Sequence, residues 1–361
     1  MNAAINENYR LKAHIFKKTR IFAVKLRCIP STKDMKQYIN TKITDMNIVK
    51  LWMIALLILC RAVAYAQFSL GNPKEAFSLS ATVDGVANSD YTWDTDERED
   101  VADGRMKRQM NVRLRSSVKL LSGLMGNISL APFYNYSTLR LQTNWQGEAP
   151  MLHFPDEHHH YGATLSGSMN LLLGSREHGK PLTLMGTVTP NFSENGFEHV
   201  SGILGAMVHV TRSSKTYLGL GAVYIYGSSG WWPLWPLVVY RHQFDNRWSV
   251  GGMAVNWMLN YQHSPKVKFS LGTELYVNKI YFRPDNDQLP RKALYDLVSE
   301  RIGLFASWQA TKALSMELST GINYPFYGRV RDISHPHIYM KLHADSKPYA
   351  QMKISYSWQS D

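Results

Sequence analysis

Two residues of the sequence have the types and the spacing of a nucleophilic catalytic pair. His199 and Ser201 are separated by one residue, and alternate side chains of a β-strand share a face, so the imidazole can reach the hydroxyl. Such a contact activates a serine for attack on an ester. No Asn, Asp or Glu follows within the next dozen residues to orient the histidine. A lipid hydrolase is therefore the least favoured function, and we predict that the protein is not an enzyme.

A second group, Asp156-Glu-His-His-His160, contains side chains that bind metal ions. Consecutive residues of a strand point to opposite faces, so three adjacent histidines hold one ion only if the segment is a loop. The sequence has no glycine-rich phosphate loop and no cysteine-based metal site. We therefore predict at most adventitious zinc or nickel binding, with no functional metal and no cofactor.

Tryptophan is concentrated in the segment Gly230-Trp-Trp-Pro-Leu-Trp-Pro236, which contains no charged residue. Tryptophan rings favour the headgroup region of a membrane, so the segment is predicted to be an interfacial anchor. An entry site for a lipid-like cargo is the alternative. The predicted interfacial aromatic residues are Trp231, Trp232, Trp235, Trp257, Trp308, Tyr356 and Trp358.

The elements that position these side chains are long segments in which apolar and polar residues alternate. The pattern runs from Val267 to Asn278 and returns in 110–120, 314–323 and 350–358. A period of two predicts β-strands with one apolar and one polar face. The charged residues on the polar faces are Arg113, Arg115, Lys119, Lys268, Glu274, Glu317 and Lys353.

Three features favour a transmembrane β-barrel over a soluble β-sandwich. The segments exceed the usual 5 or 6 residues and match the roughly 9 to 11 residues of a tilted membrane strand. Aromatic residues cluster at segment ends, and short polar turns are interspersed with long polar loops near 86–104, 143–159, 280–297 and 324–347. A charge facing hydrocarbon costs about 2 to 4 kcal/mol at the bilayer midplane, so the seven charges are predicted to face the lumen.

The number of strands is less clear from the pattern. Thirteen segments carry it, at 76–85, 106–120, 126–142, 159–173, 182–190, 200–210, 215–227, 236–244, 247–261, 266–279, 298–309, 313–323 and 348–358. A bacterial barrel with both termini in the periplasm has an even number. Loop lengths stop alternating between Tyr226 and Gln262, so either 228–261 contains another break or His337 to His343 forms an extra strand. The predicted fold is an all-β antiparallel barrel of 12 strands, with 14 as the alternative.

The first 66 residues have a different composition from the rest. They contain 12 of the 40 basic residues, 3 of the 28 acidic residues and both cysteines, Cys28 and Cys60. The remaining chain carries 28 basic and 25 acidic side chains, so its charge does not indicate a nucleic-acid partner. A long chain without cysteine also suits an oxidising compartment such as the periplasm.

Residues 46–66 have the pattern of a cleaved signal peptide. A lysine precedes ten apolar residues, Leu51 to Cys60, and Ala64-Tyr-Ala66 supplies the small residues that the peptidase requires. Cys60 is disfavoured as a lipoprotein acceptor because Leu59 precedes it, where a small residue is needed. We predict an over-extended start or disordered leader at 1–45, cleavage after Ala66, and an outer-membrane barrel at 67–361.

The C-terminal half of the sequence resembles a family of Gram-negative outer-membrane β-barrel proteins that is known only as a domain of unknown function. The residues that carry the resemblance are Pro236-Leu-Val-Val-Tyr-Arg-His-Gln-Phe244, Asn246-Arg-Trp248, Asn260-Tyr261, Gly272-Thr-Glu-Leu-Tyr276, Ser299-Glu-Arg-Ile-Gly303 and Gly321-Ile-Asn-Tyr324. It covers roughly 235 to 330. The resemblance implies the location and the fold, and it implies no reaction.

The predicted function is therefore that of an outer-membrane barrel without an assigned activity. A passive channel or a structural or binding barrel is preferred, and a transporter of hydrophobic compounds is the first alternative. The expected partners are outer-membrane lipids and the general barrel-assembly machinery, with no nucleic acid. The sequence does not name a small-molecule cargo.

Overall fold

The structure is a computed structural model that describes residues 77–95, 99, 101–123, 126–145, 154–173, 180–227, 233–285, 289–333 and 337–358. The predicted leader and signal peptide lie outside the described residues. The strands are β1 (Phe77–Val86), β2 (Ser89–Asp94), β3 (Ala102–Met106), β4 (Gln109–Gly123), β5 (Gly126–Thr138), β6 (Leu141–Trp145), β7 (Glu157–Leu173), β8 (Lys180–Ser193), β9 (Gly196–Arg212), β10 (Thr216–Tyr226), β11 (Leu234–Gln243), β12 (Trp248–Met253), β13 (Asn256–Ser264), β14 (Val267–Phe282), β15 (Ala293–Gln309), β16 (Leu314–Asp332), β17 (Ile338–Ala344) and β18 (Lys347–Trp358). Among the described residues, no helix is long and apolar enough to cross a membrane.

Fourteen of these strands close into one antiparallel barrel. Their order around the ring is β1, β4, β5, β7, β8, β9, β10, β11, β12, β13, β14, β15, β16 and β18, and β18 pairs with β1 to close it. The prediction of an all-β antiparallel barrel is confirmed. The preferred count of 12 strands is wrong, and the alternative count of 14 is correct.

The fourteenth strand lies within 247–261, which the sequence pattern predicts as a single strand. β12 ends at Met253 and β13 begins at Asn256, so a two-residue turn at Ala254 divides the segment. The φ angle of Ala254 is 53°, the left-handed conformation that allows so tight a turn. β12 has only six residues, and residues 251–255 are all glycine or apolar, so no polar loop marks the break.

The two faces of the barrel differ in polarity as the alternation predicts. Leu271 and Leu304 point outward and are 53% and 61% exposed, whereas Ser270 and Arg301 point inward and are 7% and 0% exposed. A continuous exposed apolar band is unfavourable against water, at about 25 cal/mol per Å². The same band is stable against lipid, which makes this a transmembrane β-barrel.

The two ends of the barrel have connections of different length. Phe77 lies opposite Trp358, so β1 begins and β18 ends on the same side of the barrel. Connections on that side are short, such as 213–215 and 265–266, and we call it the turn end. The opposite side, the loop end, carries 283–292 and 333–337. Short turns face the periplasm in outer-membrane barrels, so the loop end corresponds to the extracellular side.

Four short strands, which we call the upper tier, extend the barrel at the loop end. β2, β3, β6 and β17 adjoin β1, β4, β5 and β18 across two-residue breaks, and they pair in the order β16, β17, β2, β3, β6. The predicted loops at 86–104, 143–159 and 324–347 are therefore wrong in part, because they contain strands. The predicted loop at 280–297 likewise includes the ends of β14 and β15. β17 is the extra strand predicted near His337 to His343, although it lies outside the ring.

Candidate functional site

An aromatic core lies between the upper tier and the loop ends of β14, β15 and β16. The Trp93 ring stacks on Phe154 at 6.2 Å and meets Tyr295 edge-on at 6.1 Å, and Phe154 lies 4.7 Å from Phe282. Trp93 and Tyr295 are fully buried, together with Met340. Interiors of this kind are close-packed and exclude water. The core therefore obstructs the long axis of the barrel at the loop end.

The loop end of β14 crosses the lumen to reach the opposite wall. β7 and β14 are seven strands apart in either direction around the ring. The Tyr281 ring nevertheless lies 5.0 Å from His160 and 5.6 Å from His199 on the facing wall. The Arg283 guanidinium donates to both carboxylate oxygens of Glu198 at 2.9 and 2.8 Å. These contacts hold the loop end of β14 against the facing wall.

A buried ion-pair cluster occupies the inward face of β15, β16, β18, β1 and β4, which we call the charged side. The Asp84 carboxylate accepts from Arg113 at 2.8 Å, from Arg301 at 2.9 Å and from Asn111 at 2.7 Å. The Arg301 guanidinium also lies 3.6 Å from the centre of the Tyr276 ring. Asp84, Asn111 and Arg301 are each at most 2% exposed. One carboxylate thus pairs with two guanidinium groups from distant parts of the chain.

The barrel wall has a notch above the β12–β13 hairpin. Six residues rise about 20 Å along a strand, and less across a membrane when tilted, against an apolar band of about 25 Å. β12 pairs with β11 only up to Val239, and β13 pairs with β14 only up to Gly272. Residues 234–237 of β11 pair with β10, and residues 276–282 of β14 pair with β15. On their other sides, which face the notch, these two segments have no strand partner among the described residues. The exposed side chains of Leu234, Trp235 and Val277 lie on these two edges.

Four methionines lie on the inward faces of β8, β9, β12 and β13, among polar inward neighbours such as Thr183, His209 and Asn260, and we call these methionines the methionine track. Met185, Met207 and Met258 lie on the strand faces opposite to outward side chains, and Met253 ends β12 below the notch. Their side chains lie over glycines of the neighbouring strands. A Cβ on Gly219 would come 2.6 Å from Met207 Sδ, and one on Gly272 would come 2.7 Å from Met258 Sδ. Unbranched methionines form an adaptable apolar surface.

A cavity of about 420 Å³ lies in the lumen beside β14. Its wall includes Tyr276 from one face of β14 and Val277 from the other, so the cavity adjoins the unpaired edge of this strand. The facing wall comes from the inward sides of β4, β5, β7 and β8. The charged residues that line it are Arg113, Arg115 and Lys279, and the lining contains no Asp or Glu. A pocket of this size falls within the range of small-molecule sites.

The seven predicted lumen charges share strand faces with buried inward residues. Arg113 is in the Asp84 cluster, Arg115 lines the cavity, and Glu317 accepts from the Ser307 hydroxyl at 3.2 Å. The register places the others on the inward faces of their strands, namely Lys119 opposite Ser129, Glu274 opposite Arg301, Lys353 opposite Glu317 and Lys268 opposite Ser307. A role for any of them in permeation stays a prediction.

The predicted interfacial aromatic residues lie on different faces. Trp257, Trp308, Tyr356 and Trp358 are on outward faces, and Trp308 and Trp358 are 51% and 59% exposed at the turn end. Trp235 shares the inward face of β11 with Leu237, at the edge of the notch. Trp231 and Trp232 lie outside the described residues. Their anchoring role at a membrane interface stays a prediction.

The histidine candidates do not form a reactive arrangement in the described part of the chain. His199 and Ser201 share the inward face of β9, but both ring nitrogens of His199 are buried without a hydrogen-bond partner. The Ser201 hydroxyl instead accepts from the Asn191 amide at 3.0 Å. His158 to His160 lie on strand β7, where adjacent rings face opposite sides, and no metal-binding group of three ligands occurs among the described residues.

Several residues of the site are absent from the sequence-based predictions. Asp84 and Arg301 are 217 residues apart, and no local spacing indicates that they pair. Lys279 falls in a region predicted as a strand end. The methionine track has a weak local signal, the Gly-x-Met pattern at Gly205 to Met207 and again at Gly251 to Met253.

Comparison with known proteins shows similarity at the level of architecture. No protein-family model and no curated protein matches the chain. An outer-membrane channel from Pseudomonas putida F1 has 14% identity and a TM-score of 0.36, with 80% of this chain and 97% of that chain covered. A deletion mutant of the monoaromatic hydrocarbon channel TodX has 11% identity and a TM-score of 0.35, with coverages of 80% and 91%. The translocator domain of the autotransporter NalP from Neisseria meningitidis has 10% identity and a TM-score of 0.33, with coverages of 86% and 98%. At this level of similarity, no activity or cargo transfers to this chain.

Proposed function

We propose that the protein is an outer-membrane channel that admits small hydrophobic or amphiphilic molecules through its wall. The observation that carries the proposal is the notch above β12 and β13, combined with the aromatic core that obstructs the axis. A molecule dissolved in the outer leaflet meets the apolar edges at Leu234 and Val277 and passes inward onto the methionine track. Water-soluble solutes find no comparable route through the core around Trp93.

The proposal includes the route by which the protein reaches its membrane. The segment 46–66 directs export and is cleaved after Ala66, and the general barrel-assembly machinery inserts the barrel. Outer-membrane lipids then cover the exposed band that contains Leu271 and Leu304. The physical support is the fold itself, because an outward apolar band of this kind needs a lipid environment.

Single-channel recording on the purified protein in a planar bilayer tests the axial closure. We expect wild type to show no steady open conductance. Trp93→Ala removes the centre of the aromatic core, at a cost of about 3–5 kcal/mol, and should open the axis to ions. Trp308→Ala is the matched control, because this ring lies on the outer surface and leaves the core intact. A steady open conductance in wild type would contradict the closed axis and favour a passive pore.

Uptake of a neutral apolar dye into cells that express the protein tests the lateral route. Met258→Lys places a charge on the methionine track and should reduce uptake several-fold. Ser355→Lys is the control, because it adds the same charge to an inward position of β18 away from the track. Unboiled and boiled samples on a gel verify that both variants form the barrel. Equal uptake in both variants, or no uptake in wild type beyond that of cells lacking the protein, contradicts the proposal and favours a structural barrel.

A further inference from the structure

The lumen cavity beside β14 is lined by positively charged side chains and by no negatively charged ones. Three cationic side chains, Arg113, Arg115 and Lys279, line it without any carboxylate. Arg113 is engaged with Asp84, which also pairs with Arg301. Among the described residues, neither Arg115 nor Lys279 makes a salt bridge. The cavity therefore holds two cations that no protein carboxylate contacts.

Most of the remaining polar lining is already engaged in hydrogen bonds. The Asn135 amide nitrogen lies 3.4 Å from His160 Nδ1, the Asn191 amide oxygen accepts from His160 Nε2 at 3.0 Å, and the Asn191 amide nitrogen donates to the Ser201 hydroxyl. Asn278 has an amide nitrogen that is buried without a hydrogen-bond partner. Glu274 and Asp296 act on Arg115 and Lys279 only at longer range, and a buried donor such as the Asn278 amide is costly unless a ligand or water satisfies it. An oxyanion can accept hydrogen bonds from the cations and from the buried amide at the same time. Guanidinium groups bind carboxylate and phosphate through bidentate hydrogen bonds.

The position of the cavity relates this polar site to the apolar surfaces. The unpaired edge of β14 at 276–279 forms one wall, and the same edge borders the notch. Across the notch, the inward face of β11 carries Trp235 and the buried Leu237. A molecule that enters through the notch thus meets cations on one side and apolar side chains on the other. That combination suits an amphiphile and does not suit a pure hydrocarbon.

We propose that the cavity binds the anionic head group of a single-chain amphiphile, a carboxylate or a phosphate, while its apolar chain lies toward the methionine track. This inference rests on the proposed lateral route and specifies the class of cargo. Arg115 and Lys279 contact the head group, and Arg113 is fixed by Asp84 as a third donor. The notch accommodates the chain during entry from the outer leaflet.

Binding to the purified protein in a neutral detergent tests the head-group site. The probes are dodecanoate, dodecyl phosphate and dodecanol, each competing with a fluorescent dodecanoate analogue. We expect at least one of the two anions to bind about tenfold or more tightly than the alcohol. Arg115→Gln and Lys279→Gln should each remove most of that preference. Lys268→Gln is the matched control, because it removes an inward cation that does not line the cavity.

The outcomes separate this inference from the proposed function. Equal affinity for anions and alcohol, with no effect of Arg115→Gln, overturns the head-group site even when neutral dye still enters through the wall. The same loss of preference in Lys268→Gln also overturns it, because the lumen would then act as a diffuse positive field. Preference for dodecyl phosphate over dodecanoate identifies a phosphate head, and the reverse identifies a carboxylate. If Met258→Lys and Ser355→Lys show equal dye uptake while the preference for anions persists, the lateral route is overturned and the protein is a binding barrel.

Discussion

The charged side and the methionine track line the same lumen, and the strands that form them carry similar apolar side chains outward. On the charged side, Asp84 binds two guanidinium groups in a cluster that leaves little room for rearrangement. On the track, Met207 and Met258 lie over glycines, and their flexible ends can move. The outward pattern therefore fixes the barrel, whereas the inward residues of each wall determine its chemistry. One wall carries a fixed ion-pair cluster, and the other carries flexible methionine side chains between polar residues.

The largest expected effect is the loss of the central carboxylate of the charged side. Asp84→Asn keeps the shape of the side chain but leaves Arg113 and Arg301 without a counter-charge. Removing one partner of a buried ion pair typically costs about 3–5 kcal/mol, because the remaining charge stays desolvated. Urea unfolding of the refolded barrel, followed by tryptophan fluorescence, measures the change.

The control for this prediction is an exposed pair at the loop end. Asp90 lies 3.7 Å from Arg105, and both side chains are more than half exposed. Asp90→Asn should change the free energy of unfolding by about 0–1 kcal/mol, as exposed pairs do. Similar losses in the two variants would show that burial does not distinguish the charged side.

Glycines on the two walls should respond differently to an added methyl group. A Cβ on Gly321, on the charged side, would lie 2.0 Å from the Ile302 carbonyl oxygen, and this backbone atom cannot move alone. Gly321→Ala should therefore cost about 1–3 kcal/mol. A Cβ on Gly219 meets side-chain atoms alone, Met207 Sδ at 2.6 Å, Met207 Cγ at 3.1 Å and the Tyr217 hydroxyl at 3.2 Å, and these side chains can rotate away. Gly219→Ala should cost clearly less and should slow uptake of a neutral dye by displacing Met207 into the track.

Unfolding and uptake measured on both glycine variants decide between rigid and soft walls. A loss of stability in Gly219→Ala as large as that in Gly321→Ala would mean that Met207 is held in place. The track would then be ordinary core packing, and its adaptability would no longer support a transport role.

The outward face of the barrel could be predicted from the sequence because lipid imposes one requirement on every strand. Segments such as 266–279 and 313–323 alternate cleanly, since one face meets hydrocarbon and the other meets a polar lumen. The hidden turn at Ala254 shows the limit of this signal. The two-residue turn shifts the phase of the alternation, because Met253 and Asn256 are paired across it, but residues 251–255 are all glycine or apolar, so no polar loop shows that the chain reverses.

The upper tier and the site could not be predicted in the same way. Around Tyr295, residues on both faces of β15 are buried, because one face meets the aromatic core and the other faces the opposite wall. A strand that is buried on two sides loses the period of two, so the alternation that marks the other strands is missing from this part of the sequence. The pairing of Asp84 with Arg301 depends on closure of the ring, and the notch depends on the length of β12 relative to its neighbours. Neither property is local.

The smallest expected effect compares the turns at the base of each wall. Below the track, the Asp245 carboxylate accepts from the backbone N–H groups of Arg247 and Trp248, both at 2.7 Å. These hydrogen bonds, the one from Trp248 first, lower the pKa of Asp245 below its ordinary value of 3.8. Below the charged side, the Thr311 hydroxyl accepts from the backbone N–H groups of Ala313 and Leu314 at 3.2 and 3.0 Å. In both turns a side-chain oxygen accepts from two backbone N–H groups, but only the Asp245 side chain can be protonated by acid.

This difference predicts that the effect of removing the Asp245 side chain depends on pH, whereas the effect of removing the Thr311 hydroxyl does not. Because the folded protein lowers the pKa of Asp245, its stabilising contribution is complete above the ordinary pKa and is lost as the pH falls through the lowered value. Asp245→Ala should therefore lower the urea midpoint slightly near neutral pH and have no effect at a pH of about 2. Thr311→Val should lower the midpoint by a similar amount at both pH values. A pH-independent effect of Asp245→Ala would show that this turn is stabilised by its backbone geometry, so that the hairpin below the notch does not depend on the carboxylate.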